Sequence, residues 1–241
     1  MRPGLSDLSF GVRPIELADA LYNAVELSAD AGGRPGCPHV LISYQPDAAD
    51  TFGAVVVCGV SRIVGGKTTI ILDEKAPDSY VSVAIHRDKA AEIQSALRGF
   101  GRGKATRVGV RMCEEGFDVV DFEDDEPVVR TVNLSISKGE DEPLAELADS
   151  DPEGKFNDHF DMVDDFLVGS GAPLLGPALL NFDALKRVIN LKGLEARAVD
   201  IAMTRKAHVL ALAAGPHFRG VIGVLDREVY ADKGKADHLL F

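Results

Sequence analysis

No apolar run in this sequence approaches the roughly 18 residues needed to cross a bilayer, and 27% of the chain is charged. A membrane-spanning helix is therefore excluded, and a soluble protein is expected. Met1-Arg2-Pro3-Gly4-Leu5-Ser6 leads into polar sequence without the apolar core of a secretory signal, which points to the cytoplasm. Cysteine is scarce: Cys37, Cys58 and Cys113 are widely spaced with no CxxC pair, so neither a disulfide framework nor a zinc ribbon is supported. They read as reduced, mostly buried thiols. A GxSxG elbow and an HExxH helix are both missing, and His39, His86, His208 and His217 are scattered, each beside strand residues. No enzyme and no cofactor is expected. Val64-Gly65-Gly66-Lys67-Thr68-Thr69 is not a phosphate-binding loop, because β-branched residues follow where a helix should begin. A hairpin turn at Gly65-Gly66 explains it better.

What is present begins with a 46% apolar content over 241 residues, enough for a substantial core in one large domain or two small ones. The formal charge is −12, but it is unevenly spread. Between Glu114 and Asp165 there are 19 acidic residues and three basic ones, leaving 19 acids and 23 bases elsewhere. The chain outside that stretch is thus net basic, so one surface can repel polyanions while another attracts them. Asp158, His159, Asp161, Asp164 and Asp165 invite comparison with a divalent-cation site or a metal-dependent nuclease. They lack calcium-loop spacing, however, and an exposed acidic helix accounts for them.

The order of elements carries more information. Pro14 opens a helix over Ile15–Ala29, with Leu17, Leu21 and Val25 on one face beside Ala18 and Tyr22, and Glu16, Asp19, Asn23 and Glu26 on the other. Three strands follow at Val40–Tyr44, Ala54–Val60 and Thr68–Leu72. A strand at Tyr80–Ile85 then leads to a helix capped by Asp88 and running to Arg98, with Ala90, Ile93 and Leu97 inward. Strands at Arg107–Met112, Phe117–Phe122 and Val128–Ile136, the last with Arg130 among its apolar residues, complete a second strand, helix and three-strand meander. A third copy starts at Leu179-Leu180. Asp183 is its candidate cap, Leu185, Val188 and Ile189 face inward, Lys186, Arg187 and Asn190 face outward, and strands follow at Arg197–Met203, Ala207–Ala213 and Phe218–Leu225. This internal repeat is the strongest organisational signal. Residues 138–176 between the copies are acidic, show one helix at Asn157–Leu167, and yield no three strands.

Repeated units of this order resemble the DNA sliding clamp family. Gly32-Gly33-Arg34-Pro35 followed by Cys37-Pro38-His39-Val40-Leu41-Ile42 is similar to the first domain of the bacterial polymerase III β clamp. Val83-Ala84-Ile85 to Phe122 resembles the second half of that domain. Asn181-Phe182-Asp183-Ala184-Leu185 and Arg219-Gly220-Val221-Ile222-Gly223-Val224-Leu225 resemble the last half-domain of such clamps. The resemblance implies an α+β clamp fold with a reduced second domain: a first clamp domain at 1–137, an acidic linker or reduced half-domain at 138–176, a C-terminal half-domain at 177–226 and a tail at 227–241. It also implies a non-catalytic processivity factor, assembled as a homo-oligomeric ring with a trimer favoured, and a phage or mobile-element character. Its partners would be duplex DNA without sequence specificity, a DNA polymerase or other replication proteins, and a clamp loader or host clamp. The alternative is a degenerate clamp-like protein that binds a host clamp or polymerase and regulates replication.

On this resemblance the DNA-facing cations are Lys89, Arg98, Arg102, Lys104, Lys186, Arg187 and Lys192. The partner surface is Leu174, Leu175 and Pro177, with Leu239-Leu240-Phe241 as a clamp-binding peptide or as a tail packed on its own domain. Two features depart from the family pattern. The first helix carries Glu16, Asp19, Glu26 and Asp30 and no basic residue, where clamps face phosphates. Either that helix turns away, the ring is partly formed, or DNA is not held. The missing strands of 138–176 would also leave a sheet edge to be covered or used for assembly.

Overall fold

Pro14 occupies the first turn of α1 (Pro14–Ser28), where its absent N–H removes no helical hydrogen bond and its fixed φ suits the helix. Leu17, Ala18, Leu21 and Ala24 lie on the buried side of this helix, the spacing that a period of 3.6 residues lays along one stripe. The structure, a computed structural model, describes residues 8–29, 39–46, 52–61, 64–73, 81–101, 107–113, 116–123, 126–128, 134–135, 179–194, 200–203, 209–215 and 217–225. Around α1 stand β1 (Leu8–Val12), β2 (His39–Gln45), β3 (Ala54–Val60), β4 (Val64–Ile71), β5 (Val81–His86), α2 (Arg87–Gly101), β6 (Val108–Cys113), β7 (Gly116–Glu123), β8 (Glu126–Val128) and β9 (Leu134–Ser135). Farther along come β10 (Leu179–Leu180), α3 (Phe182–Ile189), β11 (Asp200–Met203), β12 (Val209–Ala214) and β13 (Phe218–Leu225).

Two antiparallel sheets result. The smaller runs β1-β6-β7-β8, with β9 also paired to β7. The larger runs β11-β12-β13-β4-β3-β2-β5, with β10 on β13. The pairing of β13 with β4, from Phe218↔Thr68 to Ile222↔Val64, fuses the third repeat to the first in a single sheet.

Two hydrophobic cores lie under this framework. In one, Leu17 and Leu21 of α1 and Ile93 and Leu97 of α2 pack with residues of both sheets, among them Phe10, Val110, Ile42, Tyr44 and Ile85. In the other, Ala184 and Val188 of α3 meet Leu210, Leu212, Phe218 and Ile222, with Leu27 of α1 and Val64 of β4. Each fully buried leucine or isoleucine contributes roughly 1.5–3 kcal/mol over its exposed state, and α1 supplies such residues to both cores.

Gly65-Gly66 does not form the expected hairpin turn. Both glycines lie inside β4, opposite Val60 and Gly59, and the connection falls earlier, where the Ser61 N–H donates to the Val64 carbonyl at 2.8 Å. The reason is close packing. A Cβ on Gly66 would stand 2.7 Å from Leu27 Cδ1, and one on Gly59 would stand 2.0 Å from the backbone oxygen of Ala24. These glycines admit α1 to the sheet; they do not bend the chain.

Other expectations shift more modestly. Asn23, assigned to the polar side of α1, is fully buried. Asp88 is not the cap of α2 but lies in its first turn, its N–H donating to His86 Nδ1 at 3.3 Å. On α3 the cap is Asn181 and not Asp183: its Oδ1 accepts from the N–H groups of Asp183 and Ala184 at 2.8 and 3.3 Å. Ile189, expected inside, is 72% exposed, because Ala184 and Val188, four residues apart, define the buried stripe. Of the strand expected at Val128–Ile136, the described residues are Val128, the last of β8, and Leu134–Ser135 of β9, both strands pairing with β7; the rest, Arg130 included, lies outside the described residues. Cys58 is buried. Cys37, the side chain of Cys113, the helix at Asn157–Leu167 and the expected strand loss in 138–176 lie outside the described residues. Among the described residues, no helix is long and apolar enough to cross a membrane.

Candidate nucleic-acid interface

The three helices lie on one face of the larger sheet, with α1 packed along α2 and touching α3. Their polar side chains join where α1 passes between the other two. Asp19 of α1 accepts from Arg98 of α2 (Nη2 to Oδ1, 3.3 Å), both side chains being largely covered. The Arg98 guanidinium lies 5.6 Å from the centroid of the Tyr22 ring and Lys192 Nζ lies 4.2 Å from it, within reach of cation–π attraction. Burial pushes the Asp19 carboxyl above its ordinary range, an effect that the nearby Arg98 and Lys192 charges partly offset. Burial, together with Glu26, also raises the Tyr22 phenol against the opposing pull of Arg98.

Asn23 completes the junction. Its Nδ2 donates to the Lys192 carbonyl at 2.9 Å and to Thr68 Oγ1 at 3.4 Å, while its Oδ1 accepts from the Lys192 N–H at 2.8 Å. A buried amide that pairs with both backbone groups of one residue fixes the segment after α3 against α1, and loss of either bond would strand a desolvated polar group. At the far end of α1, Arg87 donates to the Ser28 carbonyl at 3.2 Å and Arg187 to the Ala29 carbonyl at 2.7 Å. Cations there answer both the unpaired carbonyls and the negative end of the helix dipole. A cleft of about 500 Å³ opens at the other end of α1, lined by Arg13, Ile15, Thr69, Asp73, Lys192 and His217 among others.

The seven cations expected to face DNA therefore have different placements. Lys89 is exposed on α2 and paired with Glu92 at 2.7 Å. Lys186 is exposed on α3. Arg98 and Lys192 gather at Asp19 and Tyr22, and Arg187 is tied to the end of α1. Arg102 and Lys104 lie outside the described residues, as do the partner-surface residues Leu174, Leu175, Pro177, Leu239, Leu240 and Phe241. Sequence pattern does not reveal the Asp19–Arg98–Lys192 cluster or the Asn23 clasp. The local signal for the clasp is limited to an asparagine set one helical turn from Ala20 and Leu27, both apolar.

The arrangement of these helices on a sheet shared between repeats matches solved structures over nearly the whole chain. The β subunit of DNA polymerase III from Thermotoga maritima superposes with a TM-score of 0.54 at 12% identity, covering 93% of this chain and 67% of that one. This is the sliding-clamp fold. A putative DNA polymerase III β subunit from Eubacterium rectale gives 0.54 at 11% identity, covering 95% and 68%. The Bacillus subtilis DNA polymerase sliding clamp gives 0.52 at 11% identity, covering 92% and 65%. The chain thus spans about two thirds of the length of these clamps. No protein-family model and no curated protein matches the sequence. The clamp fold accounts for the repeats of strand, helix and meander that the sequence displays.

Proposed function

We propose that the protein is a non-catalytic, clamp-like replication factor that holds duplex DNA against its helical face and tethers a DNA polymerase or another replication protein. The observation that carries this reading is the placement of α1, α2 and α3 on one side of a sheet running unbroken from β5 to β11 across the β4–β13 pairing. Lysines on such a face neutralise phosphates without reading bases, which permits sliding. Lys89, Lys186 and Lys192 take that role, and pairing Asp19 with Arg98 and Lys192 reduces the repulsion of the acidic first helix. In this reading residues 1–137 form one clamp domain and residues 177–226 a half-domain, linked by 138–176. Three chains close a ring in the cytoplasm, and a loader or a host clamp is an accessory partner. A phage-like origin belongs to the same reading.

Mass in solution by light scattering, with and without circular duplex DNA, tests the proposal. The expected result is the mass of three chains and a salt-sensitive association with DNA. A strictly monomeric species at tens of micromolar would reject it.

The second reading, a regulator of a host clamp or polymerase, draws on the same cluster. Arg98 and Lys192 are engaged with Asp19 and Tyr22, and Lys89 with Glu92, which leaves few cations for phosphate. It is distinguished by deleting residues 237–241. A regulator loses binding to a bacterial β clamp, whereas a processivity factor keeps ring formation and polymerase stimulation.

A further inference from the structure

Ala184 and Val188 turn α3 toward the second core. At about 100° per residue, Lys186 points directly away from that side. Phe182 and Ile189 lie next to it, on the flank opposite Arg187, which reaches the end of α1. Phe182 is 77% exposed and Ile189 72%. Ile201 of β11, 45% exposed, stands on the same face of the sheet as α3, because it is directly opposite Leu212, a member of that core. The outer surface of α3 therefore joins two large apolar side chains to a lysine, beside a third apolar side chain on the outer strand. Exposed apolar groups gathered in this way mark an interaction surface.

The chain itself supplies the occupant. Leu225, the last residue of β13, is directly opposite Leu179 of β10, three residues before Phe182. Residues 226–241 thus leave the sheet at the foot of α3. Thirteen residues separate Leu225 from Leu239, about 45 Å when extended. The path from Leu225 across to Leu179, on to Phe182 and along the eight residues of α3 is under roughly 30 Å. Leu239, Leu240 and Phe241 offer apolar anchors, and Asp237 carries the charge opposite to that of Lys186. We infer that Leu239-Leu240-Phe241 docks on the outer surface of α3, over Phe182 and Ile189, with Asp237 beside Lys186. A tether of this length gives a roughly millimolar effective concentration, so a contact too weak to hold a separate peptide is populated within one chain. Once docked, the tail withdraws Lys186 from the helical face, and duplex DNA has to displace it. The docking stands apart from the proposed replication role; the competition with DNA rests on it.

The sequence contains no tryptophan, so Phe182→Trp, at an exposed position, provides a fluorescent reporter of this surface. In the full-length chain its emission is expected at short wavelength and shielded from acrylamide. Deleting residues 237–241 should move the emission to longer wavelength and open it to the quencher. Ile189→Asp, also at an exposed position, should do the same in the full-length chain, so the test does not depend on folding of the truncated one. A reporter open to acrylamide in the full-length chain would overturn the inference. So would shielding that survives both changes: if it varies with protein concentration the face belongs to a second copy, and if not, to another segment of the chain. Fluorescence anisotropy with duplex DNA reads the competition. Deletion of 237–241 should tighten binding and steepen the salt slope by about 1, and should do neither in a Lys186→Ala background. Equal binding with and without the tail would overturn the competition. Absence of DNA binding by either chain would overturn it together with the replication role, while the reporter still decides the docking.

Discussion

Asp19 holds the most consequential polar position on α1, because it is the acceptor around which cations from α2 and from the segment after α3 gather. Its folded pKa is raised above the ordinary value of 3.8, so folding favours the protonated form. The stability this confers is present below the unfolded pKa and is lost as pH rises through the folded value. Asp19→Asn lacks that titration. Measured by thermal midpoint across a pH series, the difference between variant and wild type should move in the variant's favour as pH climbs past 3.8 and then level off; a pH-independent difference would reject the assignment. Glycines provide a second residue-scale test. Gly59→Ala would force a Cβ into the Ala24 backbone, so the expected loss is about 3 kcal/mol or more, at the upper end of overpacking effects. Gly99 lies exposed in α2 with open space where a Cβ would stand, and Gly99→Ala should stabilise by about 0.5–1 kcal/mol. Denaturant unfolding of the pair checks both signs. Neither role is legible in sequence: Gly59 of β3 is met by the backbone of α1, 35 residues earlier, whereas Gly99 of α2 meets nothing.

The helices and most strands can be read from periodicity and turn residues, since those signals are local. Ala54–Val60 and Phe218–Leu225 have the bounds their sequence patterns predict. Facing and capping are harder to read, because they depend on partners far along the chain. Ile189 shares the helical surface of Phe182, seven residues earlier, and both are exposed, although an apolar side chain taken alone reads as core. Asn181 and Asp183 are each good cap residues, and the choice between them turns on helix register, which local pattern leaves open. Substituting Asn181→Ala should lower stability by about 1 kcal/mol, within the range for loss of an N-cap side chain, whereas Asp183→Ala should change it far less. Equilibrium unfolding of the two variants separates them, and equal losses would contradict the cap assignment.

For the whole molecule, the repeat and the clamp-like order of elements are visible in the sequence, but the joining of first and third repeats is not. That joining depends on β4 reaching β13 across residues whose local preferences do not point to one another. Asn23 and Lys192 reinforce it from the helical side, again through a contact unrecorded in local pattern. If the helical face binds DNA as proposed, Lys89→Ala and Lys186→Ala should each weaken binding similarly on unrelated sequences and reduce the salt slope by about 1. Fluorescence anisotropy at several salt concentrations measures this. A variant that changed affinity for one sequence alone would argue against a sliding role.

The β4–β13 pairing also constrains how the chain can be made. Thr68 and Phe218 are paired neighbours in the sheet yet about 150 residues apart in the chain, and such separations slow folding because a long loop must close first. During synthesis, β4 leaves the ribosome long before β13 exists to cover it. The nascent first domain therefore carries an open strand edge for most of translation, a state prone to mispairing with other chains. Its yield in the cell should depend on chaperones that shield that edge until the last strand arrives.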